Sequence, residues 1–71
     1  MSEATLENVK NTAAKIIEEL KNQKGCMTSW DLKLKLHLSN SSIYIALGWL
    51  LNQNKIAVQP EDLTYKVKLT E

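Results

Sequence analysis

Between Leu38 and Asn54 the chain carries no charged residue, and its apolar positions recur with helical spacing. Winding the run at 100° per residue puts Ile43, Ala46, Leu47 and Leu50 in one stripe, with Tyr44 and Leu51 on one flank and Trp49 on the other. This pattern predicts a helix over residues 39–54, apolar around most of its circumference and therefore surrounded by the rest of its domain. Ser39 or Asn40 can cap its start, and Asn54 suits a left-handed C-cap. Only Ser41, Ile45, Gly48 and Asn52 fill the remaining arc. Glycine inside a helix costs about 1 kcal/mol against alanine, so close approach of another segment is expected at Gly48.

Ahead of this run, Leu6, Val9, Ala13, Ile16, Ile17 and Leu20 recur at spacings of three and four. They predict a first helix over residues 3–24, with Ser2 as cap and Gly25 as stop. Glu3, Glu7, Glu18 and Lys21 belong to its solvated side. Residues 30–38 alternate strictly between Trp or Leu and a polar residue, which taken alone argues for a half-buried strand. Leucine and lysine are good helix formers, however, and Thr28 or Ser29 can cap a helix with Asp31 in its first turn. A second helix from Ser29 to about Lys35 is the preferred reading, with Leu32 and Leu36 inward and Leu34 outward. After Asn54 the period drops to two. Ile56 and Val58 oppose Ala57 and Gln59, Pro60-Glu61-Asp62 turns the chain, and Tyr65, Val67 and Leu69 oppose Thr64, Lys66 and Lys68. A short antiparallel hairpin results, and a lone hairpin needs helices to pack on.

Three helices followed by a small hairpin, with a tight link between the second and third helices, give a mainly α (α+β) class and the order of a winged helix-turn-helix. At 71 residues a single domain over residues 1–71 is expected. The central run is shorter than the roughly 20 apolar residues needed to span a bilayer, so no membrane is expected as a partner. No basic-then-apolar leader opens the sequence, and Cys26 is the only cysteine, which excludes an internal disulfide. A cytoplasmic protein is expected. Charge is evenly spread: residues 1–25 carry four lysines and four glutamates, arginine is absent, and the net charge is +1. No segment has a strong positive excess.

The run Ile45-Ala46-Leu47-Gly48-Trp49-Leu50, followed by Asn54-Lys55-Ile56, resembles the signature of a family of very small prokaryotic winged helix-turn-helix proteins of uncharacterised function. Val9, Ala13, Ala14, Ile16 and Leu20 resemble that family's first helix. The likeness covers about Val9 to Ile56. It departs at Ile17, where the family pattern has tryptophan, and at Asn52-Gln53, where an arginine–glutamate pair is usual. The second departure removes a basic side chain from the face that would meet DNA. The resemblance implies DNA binding by analogy of fold alone.

Little in the sequence speaks for an enzyme. His37 stands alone, and Asp31 and Cys26 are not at a ligand spacing, so no catalytic residue, metal, cofactor or small-molecule substrate is expected. Cys26 reads as a small apolar filler and His37 as a polar turn residue. Double-stranded DNA is the first candidate partner. The second helix of a helix-turn-helix enters the major groove, which would present Asn40, Ser41, Ser42, Tyr44, Ile45 and Asn52. Lys33 and Lys35 would flank the turn, and Lys66 and Lys68 would meet phosphates from the hairpin. Affinity for DNA comes mainly from cations through counterion release, and the third helix has none, while Glu61 and Asp62 sit at the wing tip. A homodimer would double the available lysines. The rival expectation is a protein-interaction or homodimerisation module using Leu34, Ile45 and Trp49, with Trp49 alternatively covered by the first helix or by Tyr65.

Overall fold

The computed structural model describes residues 5–70. The elements run α1 (Leu6–Asn22), β1 (Cys26–Thr28), α2 (Ser29–Leu36), α3 (Asn40–Asn52), β2 (Ile56–Pro60) and β3 (Tyr65–Leu69). This is the winged helix fold: three helices and an antiparallel sheet, mainly helical.

All three helices open in the same way. Thr5, Thr28 and Ser39 are extended, and their hydroxyls accept from the backbone N–H of Asn8, Asp31 and Ser42 at 3.2, 3.1 and 3.1 Å. Each such cap satisfies an otherwise unpaired donor and contributes about 1 kcal/mol. The ends are also alike. Lys24, His37 and Asn54 take positive φ of 64°, 55° and 57°. The next residue's N–H then returns to a carbonyl in the last turn: Gly25 to Leu20 at 2.6 Å, Leu38 to Lys33 at 2.9 Å and Lys55 to Leu50 at 3.0 Å. Asn54 meets its expected role. His37 does more than the sequence suggests, because its backbone turns the chain between α2 and α3.

Several boundaries differ from expectation. Thr5, not Ser2, caps α1, which begins at Leu6 rather than residue 3; Ser2 and Glu3 lie outside the described residues. Leu6 belongs to the first turn and is 56 % exposed, so the buried face of α1 is Ala13, Ile16 and Leu20, with Ile17 half-buried. α2 is a helix, as composition and capping argued against the strict alternation. Leu32 is buried, Leu36 half-buried and Leu34 exposed. α3 is Asn40–Asn52, one residue shorter at its start and two at its end than the run predicted, because Ser39 is extended and Asn54 left-handed.

The hairpin has a third strand. β1 pairs with β3 (Cys26 opposite Lys68, Met27 opposite Val67, Thr28 opposite Lys66), and β2 pairs with β3 from Ile56 opposite Leu69 to Pro60 opposite Tyr65. The order is β1-β3-β2, all antiparallel. Val67 and Ile56 face the helices and join Ile16, Leu20, Leu32, Ile43, Ala46, Leu47 and Leu50 in the core. Gly48 contradicts its expected role: a Cβ built there meets nothing within 4 Å. No close approach offsets its helix cost.

Candidate nucleic-acid interface

α3 positions most of the polar side chains expected to contact a nucleic acid. Asn40, Ser41, Tyr44, Ile45 and Asn52 are exposed along it. Its first turn contains no acidic residue, so the partial positive charge of the helix N-terminus is not cancelled from within. Ser42 departs from the expected face. It is half-buried, and its hydroxyl and N–H both bond the Ser39 hydroxyl, at 3.0 and 3.1 Å, because the third residue of a capped helix turns toward the cap. Tyr44 packs edge-on against Tyr65 of β3, ring centroids 6.1 Å apart at 86°. Only its outer part faces solvent.

The four lysines do not form one cluster of free cations. Lys35 Nζ lies 3.2 Å from Glu19 Oε1 of α1, so its charge is partnered inside the chain. Lys33 Nζ sits 5.2 Å from the centre of the Trp30 ring. Lys66 and Lys68 flank Val67, which is buried, so by strand alternation they point away from the helices. Lys66 lies between Thr28 and Gln59, Lys68 between Cys26 and Ala57. They occupy the solvent face of the sheet, whereas α3 packs on its other face. The wing tip carries Glu61 and Asp62, both exposed.

One arrangement had no signal in the sequence. Ser29, the first residue of α2 and 3 % exposed, is hydrogen-bonded to Thr64 through their hydroxyls at 2.8 Å and accepts from the Tyr65 N–H at 3.1 Å. The Trp30 N–H donates to the same Thr64 hydroxyl at 3.1 Å. The wing is thereby clamped to the start of the helix-turn-helix, which sets its angle relative to α3. Two serine or threonine hydroxyls 35 residues apart give no local pattern that would have revealed the clamp.

The candidate protein-contact residues separate. Leu34 and Ile45 are 55 % and 43 % exposed. Trp49 is half-buried in a cleft against α1, among Lys10, Ala13, Ala14 and Ile17, with Lys10 Nζ 6.0 Å from the ring centre. The first helix covers it, and Tyr65 covers Tyr44 instead. Trp30 and Leu63, not singled out from the sequence, are 56 % and 97 % exposed. Among the described residues no three His, Cys, Asp or Glu side chains are grouped to hold a metal, and no helix is long and apolar enough to cross a membrane.

A helix-turn-helix whose second helix presents an exposed polar arc, followed by a clamped two-stranded wing, defines the winged-helix class. The chain belongs to the winged helix-turn-helix domain family DUF2582, whose model matches residues 1–69 and so takes in the hairpin as well as the helices. That description names a fold and no activity. Comparison with curated proteins and with solved structures gave no match.

Proposed function

We propose that this chain is a non-enzymatic binding module that contacts double-stranded DNA through α3 and acts as a cytoplasmic homodimer. The observation that carries the reading is the exposed, acid-free N-terminal half of α3, where Asn40, Ser41 and Tyr44 offer donors and acceptors at the positive end of a helix. Winged helix-turn-helix domains are typically not enzymes, which supports the non-enzymatic part of the reading. Asn40, Ser41, Ile45 and Asn52 would meet base edges or sugar–phosphate. Lys33 would reach phosphates beside the turn, and Lys66 and Lys68 would contribute only if DNA wraps toward the solvent face of the sheet.

A titration of duplex DNA at two salt concentrations tests this. Binding should weaken steeply with salt, and Ser41→Glu should abolish it while leaving the fold intact. Lys66→Ala with Lys68→Ala should reduce the salt slope by about two if both touch phosphate. Salt-independent binding, or none, would refute the reading.

The exposure of Leu34 and Ile45 favours a second reading, in which the fold serves protein association without DNA. Under it Ile45→Glu stays folded and loses its partner, whereas DNA is never bound.

A further inference from the structure

Among the described residues β2 is an open edge of the sheet, since β3 lies on one side of it and no strand on the other. The ladder's parity follows from its end bonds: the Thr70 N–H donates to the Lys55 carbonyl at 3.1 Å, and the Glu61 N–H to the Thr64 carbonyl at 2.9 Å. Odd-numbered residues of β2 therefore bond β3. Ile56 and Val58 turn their N–H and C=O groups outward, and Pro60 adds an outward carbonyl. Unpaired edges of this kind template further strands. The opposite edge, β1, is only three residues long and runs directly into α2.

Beside the open edge runs a groove of about 410 Å³, lined by Tyr44, Leu47, Gly48 and Leu51 of α3 with Val58 and Tyr65 of the sheet. Tyr44, Leu51 and Tyr65 are 48 %, 43 % and 40 % exposed. We propose that a second copy of β2 pairs antiparallel with this edge, on a two-fold axis through Val58, and that its flanks close the groove. This deepens the homodimer in the function proposed above and is independent of whether DNA is bound.

The sequence of the strand is what identifies the occupant. In this register the solvent-side residues Lys55, Ala57, Gln59 and Glu61 meet Glu61, Gln59, Ala57 and Lys55 of the other copy. Each lysine faces a glutamate, twice by symmetry. Among the described residues neither charge has an ion-pair partner, Lys35–Glu19 being the only such pair there. Moving the axis by one residue either way leaves both charges facing neutral side chains. On the helix side Val58 meets Val58, and Ile56 meets Pro60. Val58 donates to and accepts from its counterpart, and each Ile56 N–H reaches a Pro60 carbonyl. The missing N–H of Pro60 removes one bond from each outer pair and none from the central one. The arc of Ser41, Ile45 and Asn52 lies on the far side of Gly48 from Leu47 and Leu51, so it stays open in the dimer.

Sedimentation equilibrium on the full chain, run with a charge-swap cycle, tests the proposal. Lys55→Glu and Glu61→Lys should each weaken self-association about tenfold by turning two attractive pairs repulsive, and the double variant should recover it. Ile45→Glu should leave the dimer intact. Hydrogen exchange of the Ile56 and Val58 amides should slow as protein concentration rises. A chain that stays monomeric, a dimer indifferent to all three charge variants, or a double variant as weak as the singles would overturn the proposal. So would a dimer lost on Ile45→Glu, which would move the interface to α3. DNA titration of the same variants separates the two claims: DNA binding by a chain whose cycle fails removes this interface alone, and an intact cycle without DNA binding removes only the DNA reading.

Discussion

Gly48→Ala should stabilise the fold. Gly48 lies in the interior of α3, where glycine is about 1 kcal/mol less favourable than alanine, chiefly because its unfolded backbone has more freedom to lose. That gain is often cancelled when the added methyl collides with a neighbour. Here a Cβ meets nothing within 4 Å, so no collision term opposes it. No apolar contact is added either, which keeps the expected change near 1 kcal/mol. In a domain of this size that amounts to a rise in Tm of about 4–8 °C. The measurement is circular dichroism at 222 nm during heating, with urea unfolding alongside. Dilute protein is needed, so that linkage to self-association does not enter the apparent stability. An unchanged or lowered Tm would refute the reasoning, since it would require a contact at Gly48 or a bend in α3. The same methyl narrows the groove between Tyr44 and Leu51, so the variant should gain monomer stability while self-associating less.

Other perturbations give equally definite expectations. His37→Gly should raise the urea midpoint by the equivalent of about 0.5–1 kcal/mol, because it removes a Cβ from a residue at φ 55°, whereas His37→Val should lower it. Ser29→Ala should cost about 1–3 kcal/mol and speed exchange of the Tyr65 amide, since a buried hydroxyl joining α2 to the wing is lost. Leu32→Ala, at a side chain with no exposed surface, should cost about 2–5 kcal/mol, about half of the roughly 4–10 kcal/mol available to such a chain, read as a large drop in the urea midpoint by circular dichroism. Lys35→Ala should cost under about 1 kcal/mol by the same unfolding assay, as Lys35 is half-exposed in its pair with Glu19.

What was readable in the sequence was whatever rests on local pattern. Helical spacing revealed α3 and the inner face of α1, capping chemistry decided between helix and strand at Ser29, and alternation revealed β2 and β3. What escaped depends on partners distant in the chain. β1 is three residues long, too short for any period, and exists because Val67 and its neighbours arrive from about 40 residues away. The clamp of Ser29 on Thr64 is of the same kind. Lysine count likewise said nothing of geometry: Lys35 is held by Glu19, and Lys66 and Lys68 face away from the helix they were expected to assist. Leu6 misled because periodicity continues into a first turn where the side chain stays largely exposed.

The central position of β3 has a consequence for how the molecule is made. Both other strands hang on it, and Val67 fills the space under the helices, so a nascent chain that has emerged only as far as the wing tip owns three helices and no sheet. Such an intermediate would expose the apolar faces of α1 and α2 on which β3 packs to the crowded surroundings of the ribosome. Completion is thus tied to the arrival of five residues, Tyr65–Leu69, and a lesion there should be felt across the whole chain rather than at the wing alone.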